Sequence, residues 1–519
     1  MSRSTTSVRL FVFFLMGMSV GFSHAGSLPE SETALLKTRL VPSPKNVRFS
    51  DGPEVVLDKS LTVNIGLSLD DVDAKKKVGE IFNRCFNAEP NIVVSTGDGT
   101  IKESEAYQIR AVGKTLTITA ADFSGVRHAF STLRQLAETN RGTEKLVDYR
   151  IPETEIEDAP AISFRGLHVC WFPETPPIRI EQALRLAAYY KFNYLVIEFW
   201  GTYPFASHPE LCWQEYKTSP EYVRHLVALG KELGVTLIPQ FNLFGHAAAA
   251  RESTGKHVIL DLHPEYQTLF EPDGWVWCLS NPAARQTIAD AVLELYEVFD
   301  KPAFFHIGCD EAYSPAQCRE CRKSDYNLLF KNHLLYFHKL LAERNCRMMI
   351  WHDMLISGSD PRWKGYIAIG NEKTEGLLEA LPKDIVICDW QYGDPKPENE
   401  TWPTMRFFKE QGFTVLGCPW ENMSGVRSIG KTIHETKLDG ILCTTWHHMH
   451  GGNMYRMFSV GAQVAWRAEE APGIPRHHVF NMHLRQIGWD IPVKNYRDTG
   501  HVDWQVAPEK FMSDSLPGH

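Results

Sequence analysis

Residues 304–313 read FFHIGCDEAY, an apolar run that stops on two adjacent carboxylic acids, Asp310 and Glu311. A short apolar run bounded by a polar break reads as a buried strand. Seven further runs of this texture occupy residues 164–170, 194–199, 236–241, 348–351, 385–390, 414–419 and 440–446. Between most of them lie segments with helical spacing, such as IEQALRLAAYYK, PEYVRHLVALGKELG, AARQTIADAVLELYEVF and NHLLYFHKLLAERN. Eight buried strands alternating with helices predict an α/β chain whose residues 161–468 form a (β/α)8 TIM barrel. A doubly wound open sheet is the competitor, but no glycine-rich phosphate loop follows the first strand.

Upstream the texture is mixed. VRFSDGPEVVLDKSLTVNI contains short strands and turns, DVDAKKKVGEIFNRCFN has helical spacing, and EAYQIRAVGKTLTITA is two alternating runs about Val112, Gly113 and Lys114. With a helix in SGVRHAFSTLRQLAE, these predict a small α+β domain over residues 40–160. Residues 469–519 have weak periodicity and receive no element and no function.

Residues 1–25 have a basic opening (Arg3, Arg9), the apolar stretch LFVFFLMGMSVGF and a small-x-small ending at Ala25. That pattern reads as a signal peptide cleaved near Ala25, so an exported, periplasmic or secreted chain is expected. No later stretch is apolar for long enough to suggest a membrane span. The 54 basic residues against 63 acidic ones, with no long basic run, speak against a nucleic-acid partner. The oligomeric state is not legible. Of 11 cysteines, Cys170, Cys388 and Cys443 sit in apolar runs and read as buried thiols. Cys318 and Cys321 form a lone CxxC. Zinc would need two more ligands and none stands out nearby, so no metal and no cofactor is expected; plain thiols or a local disulfide are the readings kept.

A barrel puts its chemistry at the C-terminal ends of its strands. The polar residues there are Glu198; Gln240, Asn242 and His246; His306, Asp310 and Glu311; Trp351, His352 and Asp353; Asp389 and Trp390; Trp420 and Glu421; Trp446, His447 and His448. Carboxylates, amides and tryptophans in this mixture suit a sugar-binding cleft. Neighbouring strand residues point to opposite faces, so Asp310 and Glu311 can act together only if the strand has already ended. Retaining enzymes with a protein nucleophile set their carboxyls about 5 Å apart, usually from different strands. Adjacency points instead to one acid that protonates a leaving oxygen and a neighbour that orients the substrate. A metal site with His306 and a solvated loop start are the other readings.

HIGCDE resembles the HIGGDE signature of glycoside hydrolase family 20, the β-N-acetylhexosaminidases, with Cys309 at the second glycine. CLSNPAARQTIADAVLELYEVFDKPAFFHIGCDEAY is similar to that family's helix-to-strand run, Arg165-Gly166 to its first-strand Arg-Gly, and LIPQFNLFGHAAAA to its IPEIDMPGH segment. The resemblance implies exo-acting removal of terminal β-linked N-acetylhexosamine, gluco or galacto, from a glycan or glycoconjugate by substrate-assisted retaining catalysis. It makes Glu311 the general acid and base and Asp310 the group that orients the acetamide. It implies that Arg165 binds ring hydroxyls, that Trp351, Trp390 and Trp446 wall in the acetamido group, that His246 and His306 support the acids, and that Glu421 and His448 meet outer hydroxyls. The chain departs from the family pattern in two places. LVIEFWGTYPF stands where HWHLTDDQGWR is usual, and PQFNLFGH has exchanged two acids for amides. WHHMHGG adds histidines that would suit an anionic substituent on the sugar. The competing class is a carbohydrate-binding barrel without turnover; a metal-dependent hydrolase built on His306, Asp310 and Glu311 is a third.

Overall fold

The computed structural model describes residues 26–67, 73–97, 99–139, 148–173, 175–247, 259–371, 376–393, 401–446, 455–467 and 477–488. Seven strands come first: β1 (Asn46–Val56), β2 (Thr62–Leu67), β3 (Asn91–Thr96), β4 (Tyr107–Val112), β5 (Thr115–Ala120), β6 (Glu138–Thr139) and β7 (Tyr149–Asp158). They form one sheet in the order β1-β7-β4-β5-β2-β3, with β6 on β7. Burial alternates residue by residue along β2, β4 and β5, because only one sheet face is covered. Helices Ala74–Phe86 and Phe123–Leu136 cover it, joining Val78, Phe82, Phe130 and Leu133 to Val63, Ile65, Ile109 and Ile118 in one core.

Eight parallel strands follow and close into a barrel: β8 (Phe164–Trp171), β9 (Tyr194–Phe199), β10 (Thr236–Gln240), β11 (Phe304–His306), β12 (Arg347–Trp351), β13 (Val386–Trp390), β14 (Thr414–Cys418) and β15 (Gly440–Thr444). Each of the eight apolar runs supplies one of these strands. Alternate residues fill the barrel's interior, among them Phe164, Val196, Ile238, Met349, Val386, Leu416 and Leu442. The residues between them, such as Leu167, Leu195, Phe305, Ile350 and Ile441, pack outward into the larger core shared with the helices. Burial on both faces is why these strands read as continuous apolar runs. Helices Pro220–Leu233, Pro282–Val298 and Tyr326–Ala342 begin where Ser219, Asn281 and Asp325 accept hydrogen bonds from the first-turn amides of Tyr222, Ala283 and Leu328.

The sheet and the barrel meet through a buried polar cluster. Lys191 Nζ lies 3.0 Å from Asp158 and donates to Tyr107 at 2.7 Å. Trp466, on the helix Gly461–Arg467, donates its indole N–H to Asp158 at 2.9 Å. The 469–519 segment contains a helix that its weak periodicity concealed, His477–Gln486. Its Phe480 and Leu484 are buried, and His483 Nδ1 lies 3.0 Å from the Tyr190 hydroxyl. No described helix is long and apolar enough to cross a membrane.

Candidate active site

Strand β11 stops at His306, and the backbone then enters the left-handed region at Gly308 (φ 61°), Cys309 (φ 71°) and Glu311 (φ 50°). These turns break the alternation of a strand and let two adjacent acids meet one histidine. Left-handed backbone at non-glycine residues is costly and clusters where function needs it. Gly308 is required twice over. Its φ suits glycine, and a Cβ there would lie 1.7 Å from Asn242 Oδ1. Gly308→Ala is therefore expected to cost about 1–3 kcal/mol by displacing Asn242. A thermal midpoint equal to that of the wild type would refute this.

His246, itself left-handed (φ 55°), places Nε2 3.0 Å from Glu311 Oε2 and 3.4 Å from Asp310 Oδ2. Asn242 Nδ2 donates to Asp310 Oδ1 at 3.3 Å, and Gln240 Nε2 donates to Asn242 Oδ1 at 3.1 Å. The exchange of acids for amides now has a physical reading: an amide at 242 donates to the Asp310 carboxylate, which an ionised acid could not do. The side chain of Asp310 is 4% exposed and that of Glu311 29%. One acid is enclosed and held, while the other is part-exposed.

Two residues outside the predicted set fasten Glu311. Trp275 Nε1 donates to the Glu311 carbonyl at 2.6 Å, with its ring 4.4 Å from that of His246. Asp353 Oδ2 accepts the Glu311 backbone N–H at 2.8 Å, and its Oδ1 accepts Trp390 Nε1 at 3.0 Å. Burial, and then the neighbouring Asp310 charge, push the Asp353 carboxyl up to about 8. An acid with a raised folded value binds an extra proton in the folded state between its ordinary value and about 8, so the stability this contributes is lost as pH rises through about 8. Asp353→Asn is expected to have a flatter dependence of unfolding free energy on pH between about 5 and 8 than the wild type. Parallel pH profiles would rule out this source.

Beneath the acids lies an aromatic floor. Trp351 is fully buried, with its ring 4.3 Å from His306 and 5.4 Å from Trp446. His306 Nδ1 accepts the Gly308 N–H at 3.0 Å. Trp446 Nε1 donates to the Tyr392 hydroxyl at 2.6 Å, and Tyr392 also packs on Trp390 and Trp420. Deeper in the barrel, His168 Nε2 lies 3.2 Å from Glu198, the carboxylate that ends β9.

The structure thus gathers Asp310, Glu311 and His246 at one point, sets Trp390 against them through Asp353, and puts His306, Trp351 and Trp446 in the floor. Glu421 is half-buried on the loop after β14, with left-handed backbone (φ 45°). His448 lies outside the described residues, as do the other histidines of WHHMHGG after Trp446. Arg165 is corrected. It belongs to the outward-facing set of β8, near the strand's N-terminal end, and is 1% exposed. Its guanidinium donates to the carbonyls of Lys191 and Ile162 and pairs with Glu105 of the small domain. It cannot reach a sugar at the opposite end of the barrel. Asn242, Asp353, Trp275 and Tyr392 are the contributors missing from the predicted set. The first two were visible as strand-end polar residues; Trp275 and Tyr392 carried no local signal. His246, Asp310 and Glu311 also bring potential ligand atoms within 4.8 Å of one another. In this grouping His246 takes the place that the metal-hydrolase reading gave His306.

Comparison with known proteins identifies the family of the chain that carries these residues. Residues 37–159 match the model for glycosyl hydrolase family 20, domain 2, and residues 207–418 match that for the catalytic domain of the same family. The second match starts beyond β9, the strand whose sequence departs from the family pattern. A β-hexosaminidase of Porphyromonas gingivalis is 24% identical over 335 residues, covering 57% of this chain and 42% of that protein. One from Vibrio furnissii is 24% identical over 374 residues, covering 64% and 59% respectively. The chain thus spans about half the length of these relatives. Among solved structures, the exo-β-N-acetylglucosaminidase of Vibrio harveyi superposes with a TM-score of 0.64 at 17% identity, over 88% of this chain and 79% of the other. The β-N-acetylhexosaminidase of Bacteroides fragilis gives 0.63 at 16% identity, over 90% and 99%. At these identities the structural likeness speaks for the fold.

Proposed function

The chain belongs to glycosyl hydrolase family 20, and on that premise we propose that it is a glycosidase that releases a terminal β-linked N-acetylhexosamine by substrate-assisted retaining catalysis. The observation that carries this reading is the single meeting point of Asp310, Glu311 and His246. Adjacent acids on one turn are not two carboxylates facing across a sugar, and the missing nucleophile is supplied by the substrate's own acetamido carbonyl.

In this mechanism Glu311, the more exposed acid, gives its proton to the glycosidic oxygen. The bond from that oxygen to the anomeric carbon breaks as the acetamido oxygen bonds to the same carbon, closing an oxazoline-like ring. Asp310, held by Asn242, accepts the acetamide N–H and offsets the positive charge that develops. Glu311, now a carboxylate, takes a proton from a water that opens the ring, so two inversions leave the β configuration. His246 bridges the acids and fixes their separation. The aromatic floor of Trp351, Trp390 and Trp446 receives the acetamido methyl and the ring's C–H face. Exo action belongs to the same proposal, and so does export, which rests on the sequence of residues 1–25.

The test is chromophore release from aryl β-N-acetylglucosaminide and β-N-acetylgalactosaminide by the purified chain. Turnover of either, with the β-anomer as first product, is expected. If neither is cleaved but N-acetylhexosamine raises the thermal midpoint, the carbohydrate-binding reading replaces this one.

A further inference from the structure

The lone CxxC is completed by the fold. Cys278 stands 40 residues before Cys318, yet its sulfur lies 3.6 Å from Cys318 Sγ and 3.6 Å from Cys321 Sγ. Glu271, 47 residues before Cys318, accepts the Cys318 backbone N–H. One ligand atom from each of Glu271, Cys278, Cys318 and Cys321 lies within 4.8 Å of all the others. Four donors at such spacing surround a point. A zinc ion bound tetrahedrally with Zn–S bonds of about 2.3 Å holds its sulfurs about 3.8 Å apart. A disulfide requires about 2.0 Å. The observed 3.6 Å matches the first geometry and not the second.

The surroundings favour a cation. Glu271 and Cys321 are fully buried and Cys278 is 6% exposed. Among the described residues no lysine, arginine or histidine pairs with Glu271, and its Oε1 has no hydrogen-bond partner. A buried carboxylate among thiols with no counter-charge is costly. The Cys321 backbone N–H donates to Cys318 Sγ at 3.3 Å, which holds the two ends of the CxxC together.

We propose that Glu271, Cys278, Cys318 and Cys321 bind one zinc ion in a structural site. This reverses the expectation of no metal: the CxxC is two ligands short in the sequence, and chain folding supplies both. Zinc replaces the thiol protons, which are released on binding. The ion would join the segment 271–278, which contains Trp275, to the segment 312–321 that follows Glu311. Trp275 donates to the Glu311 carbonyl, so the metal would secure the C-terminal end of the turn bearing the acids from two segments. It would also protect three thiols in an exported protein from oxidation.

The test is elemental analysis of the purified full-length chain, which reads metal content and is independent of glycosidase activity. About one zinc per chain, retained through dialysis, is expected. Chelation should lower the thermal midpoint by at least about 4 °C, with zinc alone restoring it. Cys278→Ser and Cys321→Ser should each lose the zinc. If these variants do not fold, cobalt(II) loaded into the wild type should show a thiolate charge-transfer band and tetrahedral d–d absorption. Wild type that neither contains nor takes up zinc overturns the site, whether its thiols are free or Cys318 and Cys321 are oxidised. Stoichiometric zinc that persists in both variants, or cobalt without a thiolate band, also overturns it.

Discussion

Glu311→Gln is expected to lower turnover of an aryl β-N-acetylhexosaminide by about a hundredfold to ten-thousandfold. The amide retains the size of the acid and can still accept a hydrogen bond from His246, so the turn around Gly308 and the link through Trp275 should persist. In the proposed mechanism, what disappears is the proton for the glycosidic oxygen and, later, the base for water. An aryl leaving group that departs without full protonation should lose less than a sugar leaving group does. Comparing the two substrates therefore separates loss of acid catalysis from loss of geometry. The thermal midpoint should remain near that of the wild type. A variant retaining more than about a tenth of wild-type kcat on the sugar substrate would remove Glu311 from the acid role.

Lys191→Met is expected to destabilise the chain by about 3–5 kcal/mol. Lys191 and Asp158 are both nearly inaccessible, with side chains 1% and 0% exposed. Asp158 is met by Lys191, by the Tyr107 hydroxyl at 2.8 Å and by the Trp466 indole, three groups from separate parts of the chain. Removing the ammonium leaves a buried carboxylate uncompensated, which is the costly half of a broken ion pair. The Lys191→Met, Asp158→Leu double variant should recover part of the loss, because no isolated charge is then left behind. Urea unfolding measures both. A single-variant loss below about 1 kcal/mol would show that the pair is not enclosed as described. Because the cluster sits at the N-terminal end of the barrel, KM of the surviving folded protein should not change.

The barrel was legible because a parallel strand buried on both faces is continuously apolar, and eight such runs separated by helical spacing leave few alternatives. Asp310 and Glu311 were legible from the motif, and their meeting at one point from the demand that the strand end first, which it does at His306. Arg165 was misplaced because a strand end was read without its face. The alternation already put Arg165 with Leu167 and Val169, which pack outward, while Phe164 packs inside. Asn242 and Asp353 were noticed as strand-end residues but not as partners of the acids, since a strand end does not say which neighbour it will face.

By itself the sequence determined the order of the barrel strands, the two cores and the presence of the adjacent acids, because hydrophobic periodicity and a turn-forming motif act over a few residues. Only the tertiary structure decided what those residues meet: His246 reaches Glu311 across 65 positions, and Cys278 reaches Cys318 across 40. Such contacts are set by which strand closes beside which and how far each loop runs before returning. Barrel closure fixes both through packing and register, and no local spacing along the chain encodes them.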